Sequence, residues 1–266
     1  MSKLRTADKA IYMLFIISPA KALDFFRIEQ GQPTFPIFAE RADRLAQKLK
    51  KKSPGSLKKL FHVSEELAQL NYDRYQNWDT RKITDLGKKA LFAFNGHVFR
   101  KIDVQSLKED ALQYANKHLR ILSGMYGLLR PSDMILPHRL EMGTKWPVAK
   151  RNLYGYWTKP VTRQLNRTLE EIGTDILINL ASNEYFKVVD QKTFKGRIIH
   201  IEFKEKRASG NYEVVSIYAK QARGLMCRYA FQHKVTHPEE LIGFDSEGYL
   251  YRHELSDERK FVFTRG

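Results

Sequence analysis

The sequence of 266 residues contains a single cysteine, Cys227. That excludes an internal disulfide and any zinc site built on two or more cysteine ligands. Long apolar runs are missing too: none approaches the ~20 residues that cross a bilayer, so no integral membrane protein is expected. No Walker loop, G-x-G-x-x-G, G-x-S-x-G or H-E-x-x-H occurs, so no nucleotide or other cofactor is expected. Acidic residues are scarce, 30 against 46 Lys and Arg, leaving a formal charge of +16. That balance points to a polyanionic partner such as nucleic acid, phosphate or an anionic membrane. A merely soluble basic protein gives the same sum, because net charge speaks to association and not to fold.

A metal site is not expected either. Cys227, His233 and His237 lack a neighbouring carboxylate, and a cysteine inside a helix is usually a small buried hydrophobe. Ile11–Ile17 with Ala20-Lys21-Ala22 behind it superficially fits a signal peptide, but its apolar length is minimal and Pro19 and Lys21 fall in the would-be cleavage region. A buried strand over Met13–Ile17 reads better, with 1–12 a flexible extension, 13–266 one domain, and a cytoplasmic location.

The first half reads mainly as helix. Phe38, Ala42, Leu45 and Leu49 recur at helical spacing, ending in Lys48 and Lys50–Lys52, where lysines suit the negative end of the macrodipole. Further helices are predicted over Ser64–Tyr75 and Thr84–Phe94. A capping box at Ser106 and Glu109 opens another, with Leu107, Ala111, Leu119 and Leu122 on one face and Gly124 as its stop. The second half alternates: a helix from Trp157 to Ile172, strands at Ile176–Ala181, Arg197–Phe203 and Tyr212–Ala219, a helix carrying Ala222 and Met226, then strands at Tyr249–Tyr251 and Phe261–Thr264. The expected fold class is mixed α/β, one domain with a central mixed sheet flanked by helices.

Three predicted strands end alike: in Ser18-Pro19-Ala20-Lys21, in Ser182-Asn183-Glu184, and in Lys220-Gln221-Ala222-Arg223. Ligands of open α/β sheets bind beyond the carboxyl ends of strands. Cations in the first turn of a helix oppose its macrodipole by ~0.3–1 kcal/mol each, and a bound anion reverses that sign. The expected result is a pocket for a small anionic ligand formed by Ser18, Lys21, Asn179, Ser182, Glu184, Lys187, Lys220 and Arg223. Within it Lys21 or Lys220 could act as nucleophile or base, with Glu184 as acid/base partner. The plainer reading pairs the lysines with Asp24 and Glu184. A second constellation runs from Lys117 to Pro131: Gly124 and Gly127 let the backbone approach a phosphate, and Lys117, Arg120 and Arg130 supply charge. The plainer reading here is that the glycines only cap and turn the chain.

These same residues carry a resemblance. Ile17–Lys21 (ISPAK), His118–Gly143 (HLRILSGMYGLLRPSDMILPHRLEMG), Asn179–Lys187 (NLASNEYFK), Tyr218–Arg228 (YAKQARGLMCR) and Gly243–Tyr249 (GFDSEGY) together resemble the YaaA family of peroxide-stress resistance proteins, in the same order from Met13 to about Tyr251. The resemblance implies a cytoplasmic protein that limits oxidative damage when peroxide meets free iron. It implies a basic cleft, a helix-hairpin-helix element and affinity for double-stranded DNA. The hairpin carries over to Leu122–Arg130, making Lys117, Arg120, Ser123, Gly124, Gly127 and Arg130 the expected DNA contacts. The sequence departs from the family pattern at Asn95, His97 and Phe99, where Lys, Asp and Tyr are usual, at Gln221, where a second lysine is common, and at His138, where a tyrosine is. Two readings stand: a monomeric DNA-binding stress protein with little sequence preference, or an enzyme acting on a small anionic or acyl substrate.

Overall fold

The computed structural model describes residues 12–26, 29–148 and 152–266. In chain order the elements are β1 (Leu14–Ile17), α1 (Ala39–Lys50), α2 (Pro54–Phe61), α3 (Glu65–Gln76), α4 (Ile83–Leu86), β2 (Lys88–Lys89), α5 (Ala90–Ala93), α6 (His97–Ile102), α7 (Glu109–His118), β3 (Leu119–Ser123), β4 (Gly127–Leu129) and β5 (Met134–Ile135). Then come α8 (Leu153–Ile172), β6 (Ile176–Asn179), α9 (Asn183–Phe186), β7 (Arg197–Lys206), β8 (Tyr212–Glu213), α10 (Ser216–His233), β9 (Leu250–Tyr251) and β10 (Lys260–Arg265).

The main sheet runs β4-β3-β1-β6-β7-β10-β9, with β8 paired to β7. Its five inner strands, β3 to β10, are mutually parallel, and β4, β8 and β9 are antiparallel additions at its margins. Every residue of β1, β3 and β6 is buried, as continuous apolar strands in a covered parallel sheet should be. From β1 the chain passes through the helical first half to β3 on one side, then through α8 to β6 on the other. A crevice therefore opens beyond the carboxyl ends of three adjacent strands. The mixed α/β expectation holds, and the buried apolar residues form one core.

Local chemistry sets the helix boundaries. Ser64 caps α3 by accepting from the Leu67 amide, and Gly173, at φ 73°, ends α8 in the left-handed conformation. Four expectations about element boundaries are corrected. Ser106 caps nothing helical: its hydroxyl turns back on Asp103, and α7 begins at Glu109. That helix stops at His118, because Leu119–Ser123 pairs in parallel with β1. The stretch Thr84–Phe94 is broken at Gly87, and Lys88–Lys89 pairs with Met134–Ile135. Of Tyr212–Ala219 only the first two residues are strand: Val214, Ile217 and Tyr218 are exposed, and Ala219, Ala222, Met226 and Ala230 impose a helical repeat from Ser216 onward.

A fifth correction bears on function. Leu122–Arg130 is not a helix-hairpin-helix but a β-hairpin, with Leu122 opposite Leu128 and Ser123 opposite Gly127. The expected extension at 1–12 lies outside the described residues, apart from Tyr12, whose ring stacks 5.1 Å from His118. Among the described residues no helix is long and apolar enough to cross a membrane.

Candidate functional site

Beyond the ends of β3, β1 and β6 lies a cavity of about 400 Å³, within the range of small-molecule sites. One serine stands at or just beyond each strand end: Ser123 on β3, Ser18 after β1 and Ser182 after β6, and all three line it. Ser18 Oγ accepts from the Ser182 amide at 2.9 Å and lies 3.2 Å from Ser182 Oγ, so the two loops are tied at the cavity floor. Ser123 Oγ accepts from the amides of Met125 and Tyr126, which fixes the hairpin turn beside it.

The remaining walls come from α6, α10 and the loop 138–141. Gly224 lets α10 approach α6, because a Cβ there would collide with the Val98 carbonyl. That approach carries Lys220 and Arg223 to the cavity beside Asn95, His97 and Arg100. Among the described residues five cations (Lys21, Arg100, Arg139, Lys220 and Arg223) face two carboxylates, Glu141 and Glu184. Glu141 is fully engaged, with one oxygen 2.6 Å from Lys21 Nζ and the other 3.0 Å from Arg139 Nη2. Glu184 Oε1 accepts from the Gly143 amide at 2.9 Å. Among the described residues no group accepts from Lys220 or Arg223. Burial, unrelieved by any carboxylate, lowers the Arg223 pKa below the ordinary guanidinium value. His138 is held neutral: burial pulls it to about 4, and its Nδ1 lies 2.8 Å from the Leu136 carbonyl, which requires that nitrogen to carry the proton.

Of the residues predicted for the anion pocket, Ser18, Lys21, Ser182, Glu184, Lys220 and Arg223 therefore meet at one cavity. Asn179 lies behind it, its Oδ1 accepting from the Ala181 amide and its Nδ2 reaching His200. Lys187 is exposed past α9, away from the lining. Sequence reasoning missed Arg100, Arg139 and Glu141 as site residues. Arg139 and Glu141 lie inside the long His118–Gly143 motif, so a signal was present. Asn95, His97, Phe99 and His138 line the same cavity.

The expected DNA contacts are dispersed and mostly buried. Arg120 Nη1 donates to the carbonyls of Asn116, Lys117 and Leu119, satisfying the end of α7. Gly124 gives its carbonyl to Trp157 Nε1 at 2.8 Å, and Gly127, at φ 70°, lies so close under the Trp157 ring that a Cβ would come within 2.5 Å. These glycines accommodate a tryptophan rather than a phosphate. Arg130 is clamped to fully buried Asp133 and to the Phe35 carbonyl. Lys117 alone is exposed, its ammonium 4.8 Å over the Tyr12 ring.

The family model described as peroxide stress protein YaaA matches residues 13–255. A UPF0246 protein of Hahella chejuensis is 46% identical over 255 residues, covering 95% of this chain and 99% of the relative. The UPF0246 protein RSc2009 of Ralstonia nicotianae is 45% identical over 257 residues, with 95% and 99% covered. A UPF0246 protein of Ralstonia pickettii is 44% identical over 255 residues, again with 95% and 99% covered.

Proposed function

Because the chain belongs to the peroxide stress protein YaaA family, we propose that it serves in protection against peroxide and does so by binding a small anionic ligand in the cavity beyond β3, β1 and β6. One observation carries the reading. Arg223 is desolvated beside Lys220 with no acceptor among the described residues, while the nearby carboxylate Glu141 is already spent on Lys21 and Arg139. A largely buried cation without a counter-ion is costly, and a bound phosphate or carboxylate relieves that cost. The enzymatic form of this reading places proton transfer on Glu184, whose Oε2 has no hydrogen-bond partner among the described residues. Lys21 is held by Glu141 and so is not placed as the nucleophile.

Calorimetric titration with inorganic phosphate tests the proposal. The protein binds phosphate, and Arg223→Met weakens binding by about tenfold or more, the scale of one charge-assisted hydrogen bond. Binding indifferent to that change removes the cavity from the function.

Duplex DNA is the second reading, favoured by the +16 charge. It draws on exposed lysines such as Lys48 and Lys51 at the end of α1, not on the Leu119–Leu129 hairpin. With about six phosphates neutralised, log affinity for a random duplex falls against log salt with a slope of about −5. A salt-insensitive affinity, or none, would sink it.

A further inference from the structure

We propose that the cavity's ligand is a nucleotide-like organic anion: an anionic group joined to a flat apolar body whose edge donates a hydrogen bond, the chemistry of a nucleoside monophosphate. The inference rests on the anion-site reading above and narrows it. A bare phosphate would occupy only a small part of about 400 Å³. Much of the remaining wall is apolar, contributed by Phe94, Val98, Phe99, Leu140 and Leu180. A ring fits there by apolar burial.

The second observation concerns unmade hydrogen bonds. Among the described residues five buried side-chain polar atoms have no partner, and three of them, Asn95 Oδ1, Arg139 Nε and Arg223 Nε, belong to residues that line this one cavity. A buried group left unpaired costs about 1–3 kcal/mol, and because these three atoms have no exposed surface here, a ligand completes their bonding by turning the side chains toward the cavity. The two guanidinium nitrogens call for an acceptor, which an anionic group supplies. Asn95 Oδ1 calls for a donor, and a ring N–H or amino group supplies one together with the flat surface that the apolar wall accepts. An asparagine amide presents donor and acceptor side by side, the arrangement that pairs with the edge of adenine. The Asn95 backbone amide donates to the Ala22 carbonyl at 2.9 Å, which anchors this residue between the β1 loop and α6. No glycine-rich phosphate loop is needed: side chains from α10 hold the anion, so the usual nucleotide motifs are absent from the sequence.

The test is a set of dissociation constants for the full chain with inorganic phosphate, ribose 5-phosphate and the four common nucleoside monophosphates. At least one nucleotide binds about tenfold tighter than ribose 5-phosphate, the contribution of one satisfied buried polar group and a buried ring. Asn95→Leu returns that nucleotide to the level of ribose 5-phosphate and leaves ribose 5-phosphate itself unchanged. Arg223→Met weakens all of them together. Should Asn95→Leu fail to fold, Asn95→Ser removes the amide at smaller volume and must show the same selective loss. If phosphate and ribose 5-phosphate bind but no base adds affinity, or if the Asn95 variants keep the base preference, this inference falls while the anion site stands. If no phosphate compound binds at all, the anion-site reading fails first and takes this one with it.

Discussion

The β3–β4 hairpin and the wall of the cavity contrast most clearly in how their cations are partnered. Both are rich in Arg or Lys, both contain close-packed glycines, and in sequence both looked like phosphate sites. In the hairpin Arg120 Nη1 feeds three carbonyls and Arg130 holds Asp133, so apart from the buried Arg120 Nε these donors are already engaged. In the cavity Lys21 and Arg139 share one glutamate while Lys220 and Arg223 hold nothing among the described residues. A basic motif is thus a ligand site only where the fold leaves its donors unspent.

The largest expected effect sets one histidine of each region against the other. Burial depresses both His118, at the foot of the hairpin, and His138, in the cavity wall, from 6.5 to about 4. Between those values the unfolded chain binds protons that the folded chain refuses. The stabilisation from neutral burial is therefore full above about pH 6.5 and drains away as the pH falls toward 4. For each imidazole it is on the order of a few kcal/mol. Urea unfolding from pH 7 to 4 shows the slope; His118→Phe, which keeps the stack between Tyr12 and Tyr114, flattens it by roughly half. A pH-independent midpoint in the parent protein would contradict the burial of both rings.

Next in size is Arg120→Met. It strips three carbonyls at the end of α7 of their donor and lowers stability by about 2–4 kcal/mol, with phosphate affinity retained. The mirror experiment is Arg223→Met, which leaves stability within about 0.5 kcal/mol, or raises it, since a desolvated unpaired charge disappears. If the two variants exchanged behaviours, the contrast between the regions would be wrong. Smallest is Lys117→Ala: its exposed ammonium over Tyr12 contributes at most about 0.5–1 kcal/mol, and its removal leaves duplex affinity nearly unchanged. A large loss of DNA binding there would return the nucleic-acid reading to this edge of the molecule.

Much of the architecture was legible in the residues. Strand β1, the boundary of α8 at Gly173, and Ser18, Lys21, Ser182 and Glu184 were read from apolar runs and from the polar residues just past their ends; Lys220 and Arg223 were reached through a strand expected at Tyr212–Ala219 but lie inside α10, and no helix opens at Ser18–Lys21. Two of the errors share one cause. Leu119 and Leu122 satisfy both a helical and a strand repeat, and Val214–Ala219 alternates while also fitting the Ala219, Ala222, Met226 face; a run this short does not decide between the two periods. Parallel pairing with β1 settled the first case and packing against α6 the second.

By itself the sequence determined the fold class, the family and the excess of positive charge, because composition, periodicity and motif order are all read along the chain. Only the tertiary structure decided which cations are free. Glu141 meets Lys21 across 120 positions of sequence, Gly124 and Gly127 are taken by Trp157, and α10 reaches Asn95 by way of Gly224 against Val98. Pairing of that kind depends on distance in space, and no spacing along the chain encodes it.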